Sequence, residues 1–128
     1  MNKKPDWFKG VFPALVTPFT SSDEIDEAAY RVLIRTVLPH VNGVVPIGTT
    51  GEFTYLSEAE KRKAIDIALD EVAGRVPVVA GTGCPSTRET VALTRWAKDA
   101  GAQAALVVAP YYLKPTYNEV YEHYEAVN

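Results

Sequence analysis

Apolar residues gather in four short unbroken runs, at about 11–18, 41–48, 77–82 and 104–110, and each run is followed by a stretch where they recur every three or four positions. Unbroken runs of this length predict strands buried on both faces, as in a parallel sheet covered by helices. The spaced stretches predict amphipathic helices. The first helix begins after Asp26, an N-cap, with Ile25 and Tyr30 placed as a hydrophobic staple. Its inward stripe is Tyr30, Leu33, Ile34, Val37 and Leu38, and Pro39 and His40 mark its end. The second opens on the capping box Ser57–Glu60, turns Ala64, Ile65, Ala68, Leu69 and Val72 inward, and closes at Gly74. The third opens on Ser86 with Glu89, buries Val91, Leu93 or Thr94, Trp96, Ala97 and Ala100, and stops at Gly101. The fourth opens on Thr116 with Glu119 and carries Val120, Tyr121, Tyr124 and Val127 inward. Pro13 has no N–H to give a ladder, so it belongs at the start of the first strand or at a bulge.

One βα unit is thus used four times, with a period of about 30 residues. The fold class is α/β, with four parallel strands alternating with four helices in one partial domain spanning residues 1–128. The pattern alone leaves two architectures open: a small open sheet, or the amino-terminal half of a (β/α)8 TIM barrel. Both bind ligands at the carboxyl ends of their strands.

Composition narrows the function classes. The net charge of −3 lacks the basic excess of a nucleic-acid-binding domain. No apolar run approaches the roughly 20 residues of a membrane span. The single cysteine, Cys84, has no partner for an internal disulfide, and the amino end carries Lys3, Lys4 and Lys9 with no apolar leader segment behind them. These features point to a cytoplasmic protein.

The second strand run ends in Gly48-Thr49-Thr50-Gly51-Glu52. Two glycines permit positive φ and close backbone approach. Two threonines add hydroxyls and N–H groups, and such a turn can hold an anion such as a carboxylate. The competing reading is a strand-to-helix loop that binds nothing. A second glycine turn, Gly81-Thr82-Gly83, follows the third run. Neither has the form of a phosphate-binding loop or dinucleotide fingerprint. His40 and His123 have no companion at metal-ligand spacing, so no metal site and no cofactor are expected.

Four segments occur in order: Gly10-Val-Phe-Pro-Ala-Leu-Val-Thr-Pro-Phe19, Gly48-Thr-Thr-Gly-Glu52, Val79-Ala-Gly-Thr-Gly83 and Pro110-Tyr-Tyr112. Together they span nearly the whole chain, and the set resembles the dihydrodipicolinate synthase/N-acetylneuraminate lyase family. The resemblance implies a (β/α)8 barrel, usually tetrameric, that forms a Schiff base between a lysine and pyruvate or a 2-oxo acid product. The double threonine and tyrosine pair resemble the branch that condenses pyruvate with aspartate semialdehyde on the route to lysine and diaminopimelate. The branch acting on sugar acids, including N-acetylneuraminate and 2-keto-3-deoxy acids, often has serine at the first threonine position. It stays as an alternative, as does a non-catalytic half-barrel interaction module.

By resemblance, Thr49 and Thr50 hold the pyruvate carboxylate, Thr50 relays protons, and Tyr112 is the relay tyrosine that enters a neighbouring subunit's site. Tyr112 read without the resemblance is equally a core or interface aromatic, and Tyr111 is assigned to an interface. The family's lysine lies on the sixth strand and a second tyrosine on the fifth, beyond these residues. Lys114 lies near a strand end, but a solvated loop charge is the better reading. Glu52 and Asp99 read as turn or surface groups, and Cys84 as a passive small residue. The expectation is therefore the amino half of a barrel, a piece of a longer protein or a half-barrel that assembles with another chain. It should be inactive alone and prone to associate through open edges.

Overall fold

Each of the four long helices begins on a side chain that accepts a hydrogen bond from its first turn. In the computed structural model, which describes residues 5–128, these are α1 (Glu27–Val37), α2 (Glu58–Val72), α3 (Thr87–Ala100) and α4 (Tyr117–Val127). Asp26, Ser57, Ser86 and Thr116 are the N-caps, as the sequence predicts, and the boxes at Ser57–Glu60 and Thr116–Glu119 are reciprocal. Each cap is worth about 1 kcal/mol. α3 stops at Gly101, with φ 110°, and α2 at Ala73 and Gly74, both in the left-handed region.

Among the described residues the regular strands are two, not four: β1 (Val79–Gly81) and β2 (Ala104–Leu106), paired in parallel. The two earlier runs pair only through single parallel bridges, Ala14 with Val45 and Val44 with Val78. Prolines explain this. Pro13, Pro46 and Pro77 each accept a hydrogen bond, from Val45, Gly81 and Val44 respectively, but none can return one. The order of neighbours remains sequential and parallel, first run to second to β1 to β2.

α1 and α2 pack together over this sheet. Tyr30 and Ile34 of α1 meet Ala64, Ile65, Ala68 and Val72 of α2, with Leu15, Val44 and Val78 beneath. Each large apolar side chain buried here contributes about 1.5–3 kcal/mol. The predicted two-faced burial holds for the second run and β1 but not for the outer segments. Along the first run Leu15 and Thr17 are buried while Ala14 and Val16 are exposed, Val16 by 49%. Leu106 on β2 is 51% exposed. The helices cover one face of the outer segments and leave the other open.

Two further expectations fail. Ala100 of α3 is exposed: it continues the stripe through Thr90, Leu93 and Ala97, but it is the last residue of the helix. On α4 the tyrosines at 121 and 124 are exposed, and the buried residue is His123. Among the described residues no helix is long and apolar enough to cross a membrane, and no group of three acidic, histidine or cysteine residues could hold a metal.

Candidate active site

Thr49, Thr50 and Gly51 form a single turn of 3-10 helix at the carboxyl end of the second run. Gly51 N–H donates to Gly48 O at 3.0 Å, and Glu52 N–H donates to Thr49 O at 3.0 Å. The turn is tied down from the first run: Thr17, itself buried, donates its hydroxyl to Gly51 O at 2.8 Å. Both threonine side chains are exposed, and neither enters a side-chain hydrogen bond among the described residues. Two adjacent hydroxyls are therefore presented from a fixed backbone.

The glycines of this turn do not serve the purpose the sequence suggests. Gly48 has φ −88°, and the left-handed residues are Ile47, at φ 60°, and Glu52, at φ 58°. A β-branched residue in that region is strained, and it persists only where its surroundings over-determine it. Gly51 instead sits close against the first run: a Cβ there would stand 3.1 Å from Leu15 O and 3.2 Å from the Thr17 hydroxyl, tight for any side chain. The strain at Ile47 also reaches the neighbouring strand. A Cβ on Gly81 would stand 1.7 Å from Ile47 O, so only glycine lets β1 pass the bent backbone.

The second glycine turn is turned toward α3. Thr82 is buried, with its hydroxyl 2.7 Å from that of Thr94. Cys84 is also buried; its N–H donates to the Thr90 hydroxyl at 3.0 Å, and burial above all pushes its thiol up from the ordinary range.

Tyr112 lies elsewhere. Its phenol is 97% exposed and its backbone is left-handed at φ 76°. It borders a cleft with Pro85, Thr87, Lys114 and His123, and neither threonine of the turn lines that cleft. The chain thus brings Thr49 and Thr50 together and holds Tyr112 apart, facing outward. Tyr111, assigned from sequence to an interface, packs within the chain: its ring meets Phe53 edge-on at 5.6 Å, and burial raises its phenol pKa. Glu52 and Asp99 are exposed, as expected. His123 is the residue sequence reasoning passed over. Its position three residues after Val120 and four before Val127 puts it on the inward stripe, which was the available signal.

Known proteins share this sequence and this fold. The model of the dihydrodipicolinate synthetase family matches residues 7–128. A 4-hydroxy-tetrahydrodipicolinate synthase of Protochlamydia amoebophila (strain UWE25) is 48% identical over 123 residues, which cover 95% of this chain and 41% of that protein. The crystal structure of dihydrodipicolinate synthase from Aquifex aeolicus superposes with a TM-score of 0.90 at 44% identity, over 94% of this chain and 41% of that one. The N-acetylneuraminate lyase of Mycoplasma synoviae also gives a TM-score of 0.90, at 34% identity, over 95% of this chain and 43% of its own. The chain spans about two fifths of the length of the relatives it matches. The chain belongs to the dihydrodipicolinate synthetase family.

Proposed function

We propose that these residues form the amino-terminal half of a (β/α)8 enzyme that condenses pyruvate with aspartate semialdehyde, the activity named 4-hydroxy-tetrahydrodipicolinate synthase. The observation that carries this is the clamped turn at 49–51, with two free hydroxyls at the carboxyl end of a parallel run. Thr49 and Thr50 hold the pyruvate carboxylate there. A fixed carboxylate sets the adjacent carbonyl carbon in one orientation for attack by an amine. The open face bearing Val16 and Leu106 is what a barrel interior looks like before its remaining strands are added.

The amine comes from outside these residues. Lys3 and Lys4 lie outside the described residues; Lys9, Lys63, Lys98 and Lys114 are exposed, and a nucleophilic lysine needs a desolvated pocket to lose its proton. Lys61 is buried, but it sits on α2 rather than on a strand, with its ammonium 5.9 Å from the centre of the Phe53 ring. Thr50 relays protons toward Tyr112 of a neighbouring copy, which fits the outward placement of that phenol. The working enzyme is then a cytoplasmic homo-oligomer, a tetramer on the family pattern, without cofactor.

The lyase of sugar acids is the second reading, favoured by the equal TM-score of the N-acetylneuraminate lyase. The higher identity to the synthases and the threonine at position 49 weigh against it. Borohydride reduction with pyruvate, followed by intact-mass measurement, tests the division of labour. The 128-residue chain should stay unmodified, and a pyruvyl adduct on it would refute the proposal. In the full-length enzyme, Thr50→Val should fold and lose most turnover with both substrates present; full turnover would remove the hydroxyl from the mechanism.

A further inference from the structure

His123 is 1% exposed, while every other residue of α4 is exposed or half-buried. Its Nδ1 lies 2.9 Å from the hydroxyl of Thr87, the first residue of α3. Its Nε2 is buried with no hydrogen-bond partner. Leucine would fill a similar volume without leaving a buried polar atom unsatisfied, so packing alone does not account for an imidazole here. The bond to Thr87 does.

That bond acts beside a second one. Tyr124, the next residue, donates its hydroxyl to Val107 O at 3.1 Å, and its ring meets the imidazole edge-on at 5.2 Å. α4 is therefore fastened to the start of α3 and to the chain leaving β2. Between Val107 and α4 runs the segment that carries Tyr112, which ends in the Thr116–Glu119 capping box. Tyr112 has a strained backbone and a phenol in solvent, so its own contacts do not fix it. It is held through its surroundings: Tyr111 beside it packs on Phe53, and the segment's two ends are tied to Val107 and to α4.

We propose that the Thr87–His123 hydrogen bond is a latch that fixes α4 and, through it, the left-handed conformation at Tyr112. His123 is a positioning residue, acting through Tyr112 and touching no substrate. The catalytic consequence rests on the reading of Tyr112 as a proton relay; the latch itself does not.

The test compares Thr87→Val, His123→Leu, His123→Asn and the Thr87→Val/His123→Leu double variant by NMR. Two readouts are followed in the 128-residue chain: amide exchange in α4, and the backbone shifts of Tyr112 that mark its left-handed geometry. Thr87→Val and His123→Leu should each speed α4 exchange about tenfold, the effect of one lost buried hydrogen bond. Each should also move the Tyr112 shifts toward an averaged value. The double variant should be no worse than either single one. His123→Asn, whose amide reaches the place of Nδ1, should recover much of the loss. Wild-type exchange and shifts in both Thr87→Val and His123→Leu would overturn the latch, as would a His123→Asn variant worse than His123→Leu. Tyr112→Phe in the full-length enzyme separates the two ideas: unchanged turnover there would end the relay reading while leaving the latch to stand on its own readouts.

Discussion

Replacing Gly81 by alanine tests how tightly the threonine turn is built into the sheet. The new Cβ would lie 1.7 Å from Ile47 O, 2.4 Å from Ile47 C and 3.1 Å from Gly48 N. All three are backbone atoms, so no side-chain rotation relieves the overlap. The Ile47 carbonyl would have to withdraw from 1.7 Å to beyond 3.0 Å, the shortest separation that real Cβ atoms keep. The movement would break the Gly81 N–H bond to Pro46 O, at 2.9 Å, and disturb that of Thr82 N–H to Leu106 O, at 3.1 Å. Two backbone bonds at about 1 kcal/mol each and overpacking strain of about 1–3 kcal/mol give a loss of about 3–5 kcal/mol. With a urea m-value of about 2 kcal/mol/M, the unfolding midpoint should fall by about 2 M. Gly48→Ala is the control. Its Cβ would meet only Leu106 Cδ2, at 3.8 Å, and its φ of −88° suits any residue. That midpoint should move by less than about 0.5 M. A Gly81→Ala midpoint equal to wild type, or a Gly48→Ala loss as large as that of Gly81→Ala, would refute the close approach of β1 to the turn.

Three other outcomes can be checked on the same material. Glu60 is held below the usual carboxylate range by the Ser57 hydroxyl and then its N–H, and Glu119 by the Thr116 N–H and then its hydroxyl. A depressed folded pKa stabilises above the unfolded value, about 4.3, and that support is lost as pH falls through the folded one. The Glu60→Gln/Glu119→Gln variant should therefore lose less stability than wild type between about pH 5 and 3; parallel urea midpoints across that range would count against it. Tyr30 is buried with its hydroxyl unpartnered, so Tyr30→Phe should leave thermal stability unchanged or raise it by up to about 1 kcal/mol; a clear loss would reveal a hidden partner. Cys84 should react with an aromatic disulfide only as the chain opens, because burial disfavours its thiolate. Rapid labelling without denaturant would contradict its placement.

The elements that follow local rules were legible in the sequence. Asp26, Ser57, Ser86 and Thr116 satisfy amide groups within three residues of themselves, so the helix starts could be read directly. The stripe through Tyr30 and Ile34 was legible because helical spacing repeats over the whole of α1. What depends on contacts between distant segments was not. The left-handed backbone at Ile47 arises where β1 passes within contact of it, thirty-four residues on at Gly81, and no local rule assigns a β-branched residue to that conformation. The short ladders follow from prolines lying next to the bridged residues of neighbouring runs, which needs the register to be known. His123 was passed over because its polarity masked its position on the stripe. The turn that carries Thr49 and Thr50 was legible from its glycines and its place after an apolar run, whereas the clamp from Thr17 needed the fold.

The most direct test of the carboxylate cradle is an amide NMR titration of the 128-residue chain with pyruvate. The account predicts millimolar, saturable shifts confined to residues 48–52 and Thr17, abolished by the Thr49→Val/Thr50→Val double variant, whose unperturbed residues keep wild-type shifts. Saturable shifts elsewhere, or a turn that pyruvate leaves unmoved, would contradict it.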